Sequence, residues 1–432
     1  MKRFLLLLFF SVPALLFGQS EMSLDECIRL AWKQNPAIRN GAIGIKEAKT
    51  DYVASVGAFL PRIVANAETG KRFGRSLDDT NGYTSESFKE GTVGFEMTLS
   101  LFEGFSRINQ VRFQKINKEH SEWALKEKQN ELAYQVTDAY YKLILERQLL
   151  NLALEQSRLS ERYLKQTESF VELGLKSASD LQEVKARREG DIYRYQSREN
   201  TCRIALLHLK QLMNIQPGDT LLIIDTITVS ELPLHSVSSV ETLYAQSMEV
   251  LPEMRMMDLK RKAAHKEYAV AGGAFSPSIF ARFTVGSNYY NTAFSARQLR
   301  DNIGKYIGVG VSFPLLSGLQ RLTNQRKLKL NMYRLKNEEE LEKQQLYTDI
   351  EQTLLSLHAG YSEHQQALSQ LDAETLVLKE SERKWEEGLI SVFQLMEVRN
   401  RFIAAKAEVV RVRLQIEMMT KLEKYYRQGT FL

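Results

Sequence analysis

The chain has 432 residues, of which 44% are hydrophobic and 26% charged, with a formal net charge of +5. No basic run stands out from this near balance, which argues against a partner recognised through nucleic-acid phosphates. There are only two cysteines, Cys27 and Cys202; two can pair, but nothing in the sequence places them together, and both read as buried small apolar residues rather than a disulfide.

Lys2 and Arg3 precede an apolar run from Phe4 to Phe17, broken only by Ser11 and Pro13, and Gly18, Gln19 and Ser20 follow. This reads as a removable signal peptide over 1–20, too short for a membrane span. Removing Lys2 and Arg3 takes the formal charge from +5 to +3. Cys27 lies well beyond the apolar run and does not read as a lipid-modified cysteine. No run of about 18 apolar residues follows, so no transmembrane helix is expected. The exported chain is then either soluble or a β-barrel protein.

A helix is expected from Ser23 to about Ala54, and two strand candidates come next. Ile63, Ala65 and Ala67 alternate with Arg62, Asn66 and Glu68. More clearly, Val93, Phe95, Met97, Leu99 and Leu101 alternate with Thr92, Gly94, Glu96, Thr98 and Ser100. Phe105 to Phe170 then runs without proline or glycine. Its Leu132, Val136, Tyr140, Leu143, Leu150 and Leu154 form an amphipathic helical stripe. About 65 residues at 1.5 Å each make a helix roughly 100 Å long, which points to coiled-coil-like packing. Leu173-Gly174-Leu175 ends it with a C-cap glycine. Ser177-x-x-Asp180 resembles a capping box for a helix returning from Asp180 to about Met213.

The same order then recurs. Ser239-Val-Glu-Thr through Leu251-Pro252 echoes Ser23-Leu-Asp-Glu through Asn35-Pro36. Phe275-Ser-Pro-Ser-Ile279 echoes Phe59-Leu-Pro-Arg-Ile63. Ile279, Ala281, Phe283 and Val285 alternate with Phe280, Arg282, Thr284 and Gly286; Ile307, Val309, Val311, Phe313 and Leu315 alternate with Tyr306, Gly308, Gly310, Ser312 and Pro314. A second long helix is expected over Gln320–Glu387, interrupted only by Gly360. Its tip is Glu387-Gly388-Leu389, and Ser391-x-x-Gln394 opens a helix to about Tyr426. The offset is about 214–216 residues, so the expectation is a duplicated half-structure, with a first repeat over 21–230 and a second over 231–432.

Strands of about ten residues, apolar on one face and polar or glycine on the other, suit a transmembrane barrel, although half-buried strands of a soluble sheet share that period. The signal peptide, the polar loops Gly70–Glu90 and Asn288–Asn302, and the aromatics Tyr83, Phe88, Tyr289, Tyr290 and Phe294 near them favour the barrel. Four strands cannot close one, and open sheet edges in lipid cost several kcal/mol per unsatisfied group. Several chains must then share one barrel and gather their long helices together.

At this point the residues resemble the TolC family of outer membrane channels. Ser23-Leu-Asp-Glu-Cys27 with Asn35-Pro36 is similar to the family's start. Leu99-Ser-Leu-Phe-Glu-Gly-Phe-Ser-Arg107 is similar to its strand-to-helix junction, and Leu173-Gly-Leu-Lys-Ser-Ala-Ser-Asp-Leu181 to its hairpin tip. The resemblance covers essentially the whole mature chain. It implies a mainly α fold with membrane β: a homotrimer sharing a 12-stranded outer membrane barrel, four strands per chain, continued by a periplasmic α-helical barrel. It implies passive export for an inner-membrane RND or ABC transporter through a periplasmic adaptor. The stretch Pro217–Pro233 would link the halves and contribute to a mixed region. Gly174, Leu175, Ser177, Gly388, Leu389 and Ser391 would be adaptor-contacting tips. Asp180 falls where the family can narrow its pore; Gln394 departs at the matching position, and Asp180 can equally serve as a helix cap. A soluble periplasmic coiled-coil scaffold or adaptor subunit is the competing reading.

The sequence carries no phosphate loop, no G-x-S-x-G and no H-E-x-x-H. No cofactor or metal is implied. His358 and His364, six apart on a helix, do not share a face and read as solvated.

Overall fold

The computed structural model describes residues 21–74, 76–77, 82–84, 87–224, 239–291, 294–316 and 318–432. The expected signal peptide lies outside them, as do parts of both polar loops and the second half of the Pro217–Pro233 linker. In chain order the elements are α1 (Leu24–Gln34), α2 (Pro36–Gly57), β1 (Arg62–Arg72), β2 (Ser76–Leu77), β3 (Tyr83–Thr84), β4 (Phe88–Glu103), α3 (Ser106–Glu172) and α4 (Ala178–Leu212). These are followed by α5 (Val240–Val250), α6 (Pro252–Gly273), β5 (Ser278–Asn291), α7 (Ala296–Asp301), β6 (Gly304–Ser312), α8 (Gln320–Glu386) and α9 (Val392–Gln428). Both long helices have 67 residues.

The expected single N-terminal helix is instead two. Pro36 lacks an N–H and disfavours helical geometry at the preceding residue. Asn35 accordingly sits at φ −66°, ψ 128°, and its Nδ2 donates to the Leu212 carbonyl at 2.8 Å. The polar loops are also shorter than expected. β1 continues to Arg72 and β4 begins at Phe88, while β5 continues to Asn291 and α7 follows.

The chain divides into two compact units, each drawing on both halves of the sequence. The first comprises the described residues of Met1–Arg39, Gln129–Leu243 and Ile350–Leu432. It is helical. α1 opens with a capping box between Ser23 and Glu26 and buries Leu24, Cys27, Ile28 and Ala31. Met22 pairs with Ile223 in a short parallel bridge, and Leu221 and Ile223 are buried there. Leu357, Val412 and Ile416 pack α8 on α9. Gly360 allows that approach, because a Cβ there would lie 2.9 Å from Ile416 Cγ1.

On α3 the expected stripe holds through Leu132, Val136, Tyr140 and Leu143. Beyond Glu146 the buried line runs through Leu152, Gln156, Ser160, Tyr163 and Thr167, and Leu150 and Leu154 are only half-buried. An apolar-only pattern cannot follow a buried face whose members turn polar. Cys27 and Cys202 are thiols rather than a disulfide, and burial pushes the Cys27 thiol up to about 12.

The second unit comprises Asn40–Lys128 and Tyr244–Asp349. It holds one antiparallel sheet of order β1-β4-β5-β6, in which β4 pairs with β5. Strand pairing therefore continues across the two halves of the sequence. β1 and β6 are the two edges. The register shifts once, between Ser100 and Phe102.

Candidate channel face and hairpin tips

Directly paired residues of an antiparallel sheet point to the same face. The register places Ala65, Phe95 and Val285 together, then Ile63, Met97, Phe283 and Ile307, then Leu99, Ala281 and Val309. Apart from Lys305, which pairs with Val285 near the start of β6, that face is apolar and unusually open: Phe95 is 60% exposed, Ile307 82% and Val309 68%. A soluble sheet buries such a face; one meeting lipid does not.

The opposite face is polar. Arg282 Nε lies 3.3 Å from Glu96 Oε1, and the Arg282 guanidinium lies 5.7 Å from the Phe280 ring centroid. Gly308 and Gly310 leave room for the rings of Tyr306 and Phe280, which occupy the space a Cβ would need. At the foot of the sheet, Arg107 donates to both carboxylate oxygens of Glu103, at 3.0 and 2.9 Å, and Ser100 Oγ donates at 2.7 Å. Arg107 also donates to the Ala58 carbonyl.

Four of the five expected girdle aromatics pair at the other end. Phe88 stacks on Tyr290 at 4.8 Å and Tyr289 meets Phe294 edge-on at 5.2 Å. The Tyr83 side chain lies outside the described set.

The helical unit builds the two tips alike. In the first, Leu175 N–H donates to the Phe170 carbonyl at 2.8 Å and Gly174 N–H to Val171 at 3.0 Å. In the second, Leu389 donates to Lys384 at 2.8 Å and Gly388 to Trp385 at 3.0 Å. This bonding pattern requires a left-handed residue, and Gly174 and Gly388 sit at φ +72° and +74°. The returning helices begin with matching caps. Ser177 N–H donates to Asp180 Oδ2 at 2.9 Å, while Asp180 N–H donates to Ser177 Oγ at 3.1 Å. Ser391 N–H donates to Gln394 Oε1 at 2.9 Å, while Gln394 N–H donates to Ser391 Oγ at 3.2 Å. Hydrogen bonds from the Ser177 backbone and hydroxyl hold the Asp180 carboxyl below its ordinary range. Leu173, Leu175, Leu389 and Phe393 stand exposed around the tips.

Behind the tips, Tyr163, Val184, Leu378, Trp385, Leu395 and Met396 pack the four hairpin helices together. Tyr163 meets Trp385 edge-on at 4.8 Å, and Arg399 Nη1 donates to Tyr163 Oη at 2.9 Å. Sequence reasoning did not single out Arg399. It also missed the buried carboxylate Asp191, which accepts hydrogen bonds from Ser160 and from Gln156 Nε2 and pairs with Arg194. No local motif marks a mid-helix aspartate as buried.

His358 is exposed as expected, but His364 is not solvated. It is 2% exposed, its Nε2 has no hydrogen-bond partner, and burial followed by the Arg413 charge lowers its pKa. Nothing in the local pattern of α8 marks His364 as a buried position, and its charged neighbour Arg413 comes from α9.

Among the described residues, no helix is long and apolar enough to cross a membrane. The family model described as "Outer membrane efflux protein" matches residues 27–214. The Outer membrane efflux protein BepC of Brucella suis biovar 1 (strain 1330) is 21% identical over 307 residues, 70% of this chain. The match spans 63% of that relative, less than two thirds of its length. The Campylobacter jejuni CmeC outer membrane channel has the same fold, with TM-score 0.82 at 14% identity over 94% of this chain and 85% of that one. So does VceC of Vibrio cholerae, with TM-score 0.79 at 13% identity over 95% and 97%. Over residues 27–214 the chain is similar to the outer membrane efflux protein family, and it has the fold of the solved TolC-type outer membrane channels.

Proposed function

We propose that this chain is the passive exit duct of a tripartite efflux or type I secretion system. Three copies share a barrel of about 12 strands, and their helices form the periplasmic conduit. An inner-membrane RND or ABC transporter supplies the substrate through a periplasmic adaptor that meets the tips at Gly174, Leu175, Ser177, Gly388, Leu389 and Ser391.

One observation carries this reading: a four-stranded sheet with an exposed apolar face and two unpaired edges, β1 and β6. Such edges are untenable in lipid unless other copies pair with them. The same face speaks against a soluble scaffold.

Asp180 keeps its capping role in one chain. Repeated around a threefold axis, the same carboxylate forms a ring of like charge that favours cations. Gln394 supplies no second ring.

The test is mass in detergent followed by planar-bilayer recording. A trimer that conducts is expected; a folded, detergent-independent monomer refutes the proposal. Asp180→Asn should keep the trimer, because Asn caps helices about as well as Asp. It should weaken cation selectivity and block by multivalent cations. Unchanged selectivity leaves Asp180 as a cap alone.

A further inference from the structure

The polar face of the sheet ends in a cavity of about 720 Å³. Its walls are β1, β4 and β5, and its floor is the end of α2 and the start of α3. Three arginines line it, Arg62, Arg107 and Arg282, with only two carboxylates, Glu96 and Glu103. Both carboxylates are engaged. Glu103 takes the two-pronged contact from Arg107, and Glu96 faces Arg282. Arg62 makes no ion pair among the described residues. The cavity therefore carries one uncompensated guanidinium per chain. Phe280 and Leu60 add apolar surface beside it.

Assembly would not neutralise Arg62 from the adjoining strand. β1 is an edge, and in a closed barrel its new neighbour is β6 of the next copy. The register puts Tyr306, Gly308, Gly310 and Ser312 on the polar face of β6, and none is acidic.

We infer that this cavity is a contact site for organic anions passing through the duct: a carboxylate or sulfonate seated on Arg62, with an apolar body against Phe280 and Leu60. A guanidinium presents a planar fork matched to a carboxylate or sulfonate, and Phe280 and Leu60 in the same cavity give the ligand's apolar body a second contact. The ion-paired Arg107 and Arg282 shape the cavity, and its net positive charge comes from Arg62. The inference rests on the polar face lining the lumen, as proposed above.

The full chain in planar bilayers tests it, with benzoate, inorganic phosphate and tetramethylammonium added separately. Benzoate should reduce single-channel current at millimolar concentration; tetramethylammonium should not act at this site. Arg62→Gln should raise the half-blocking benzoate concentration about tenfold, the loss of one charge-assisted contact. Phe280→Ala should weaken benzoate block but leave phosphate block unchanged. Arg62 is exposed on an edge strand, and Arg62→Lys should restore part of the block. A conducting channel that benzoate does not block, or blocks equally in Arg62→Gln, overturns the inference while leaving the duct intact. Absence of any conductance removes the duct and this inference with it.

Discussion

Val309→Arg is the sharpest probe of the strand faces. Val309 lies inside β6 opposite Ala281 and shares its face with Ile307, Val311 and Phe283. No carboxylate occupies that face along Ile63–Ala67, Val93–Leu99, Ile279–Val285 or Ile307–Val311. The new guanidinium would find no partner there, and it would stand where 68% of Val309 is already exposed. A charge facing lipid near the midplane costs about 2–4 kcal/mol, which weakens insertion about 30- to 700-fold per chain. In the proposed trimer the lesion would occur three times, about 6–12 kcal/mol in all, comparable to the whole stability of a typical domain. The matched control is Thr284→Arg. Thr284 pairs with Tyr306 in β6 and lies opposite Glu96 on the polar face, so its guanidinium would meet water and a carboxylate. A surface change of that kind shifts stability by about 0.5 kcal/mol or less. Urea titration of folding into liposomes, read by the heat-sensitive shift of the trimer band on gels, measures both. Equal losses in the two variants would refute the assignment of faces.

At the tips, a Cβ on Gly174 or Gly388 meets nothing within 4 Å, so substitution acts through the backbone alone. A left-handed L-residue costs about 1–2 kcal/mol. Gly174→Val with Gly388→Val should keep trimers yet lose adaptor cross-linking, and Gly174→Asn should be milder; normal cross-linking in the double variant removes the tips from the adaptor contact. His364 gives a pH test. Its folded pKa lies below the ordinary value, so below that ordinary range the unfolded chain binds more protons and stability falls as the pH drops. His364→Leu should therefore lose less stability than the parent between about pH 7.5 and 5.5, measured by urea midpoints. Identical pH dependence in the two proteins would exclude His364 as the source.

Much of the architecture was legible because its signals are local and long. Sixty-odd residues without proline, the first run also without glycine and with an amphipathic stripe, favour a helix, and both 67-residue helices lie within about two residues of the expected bounds. The tips were legible for the same reason. A glycine followed by Ser-x-x-Asp or Ser-x-x-Gln encodes its turn and cap in consecutive residues. Alternation in Val93–Leu99 and Ile307–Val311 marked two faces, because side-chain period alone separates them; the expected continuation fails where the register shifts between Ser100 and Phe102 and where β6 ends at Ser312, before Phe313 and Leu315.

Tertiary structure decided what depends on a second element. That β4 pairs with β5 and leaves β1 and β6 as edges follows from backbone pairing between residues nearly 200 apart, which no local pattern records. His364 and Asp191 became buried because other helices cover them, and their own helices carry no mark of it. The cavity with Arg62 exists only where a strand face, a helix end and a helix start converge. Local chemistry fixed each element, while burial, pairing and unbalanced charge are properties of what is packed against it.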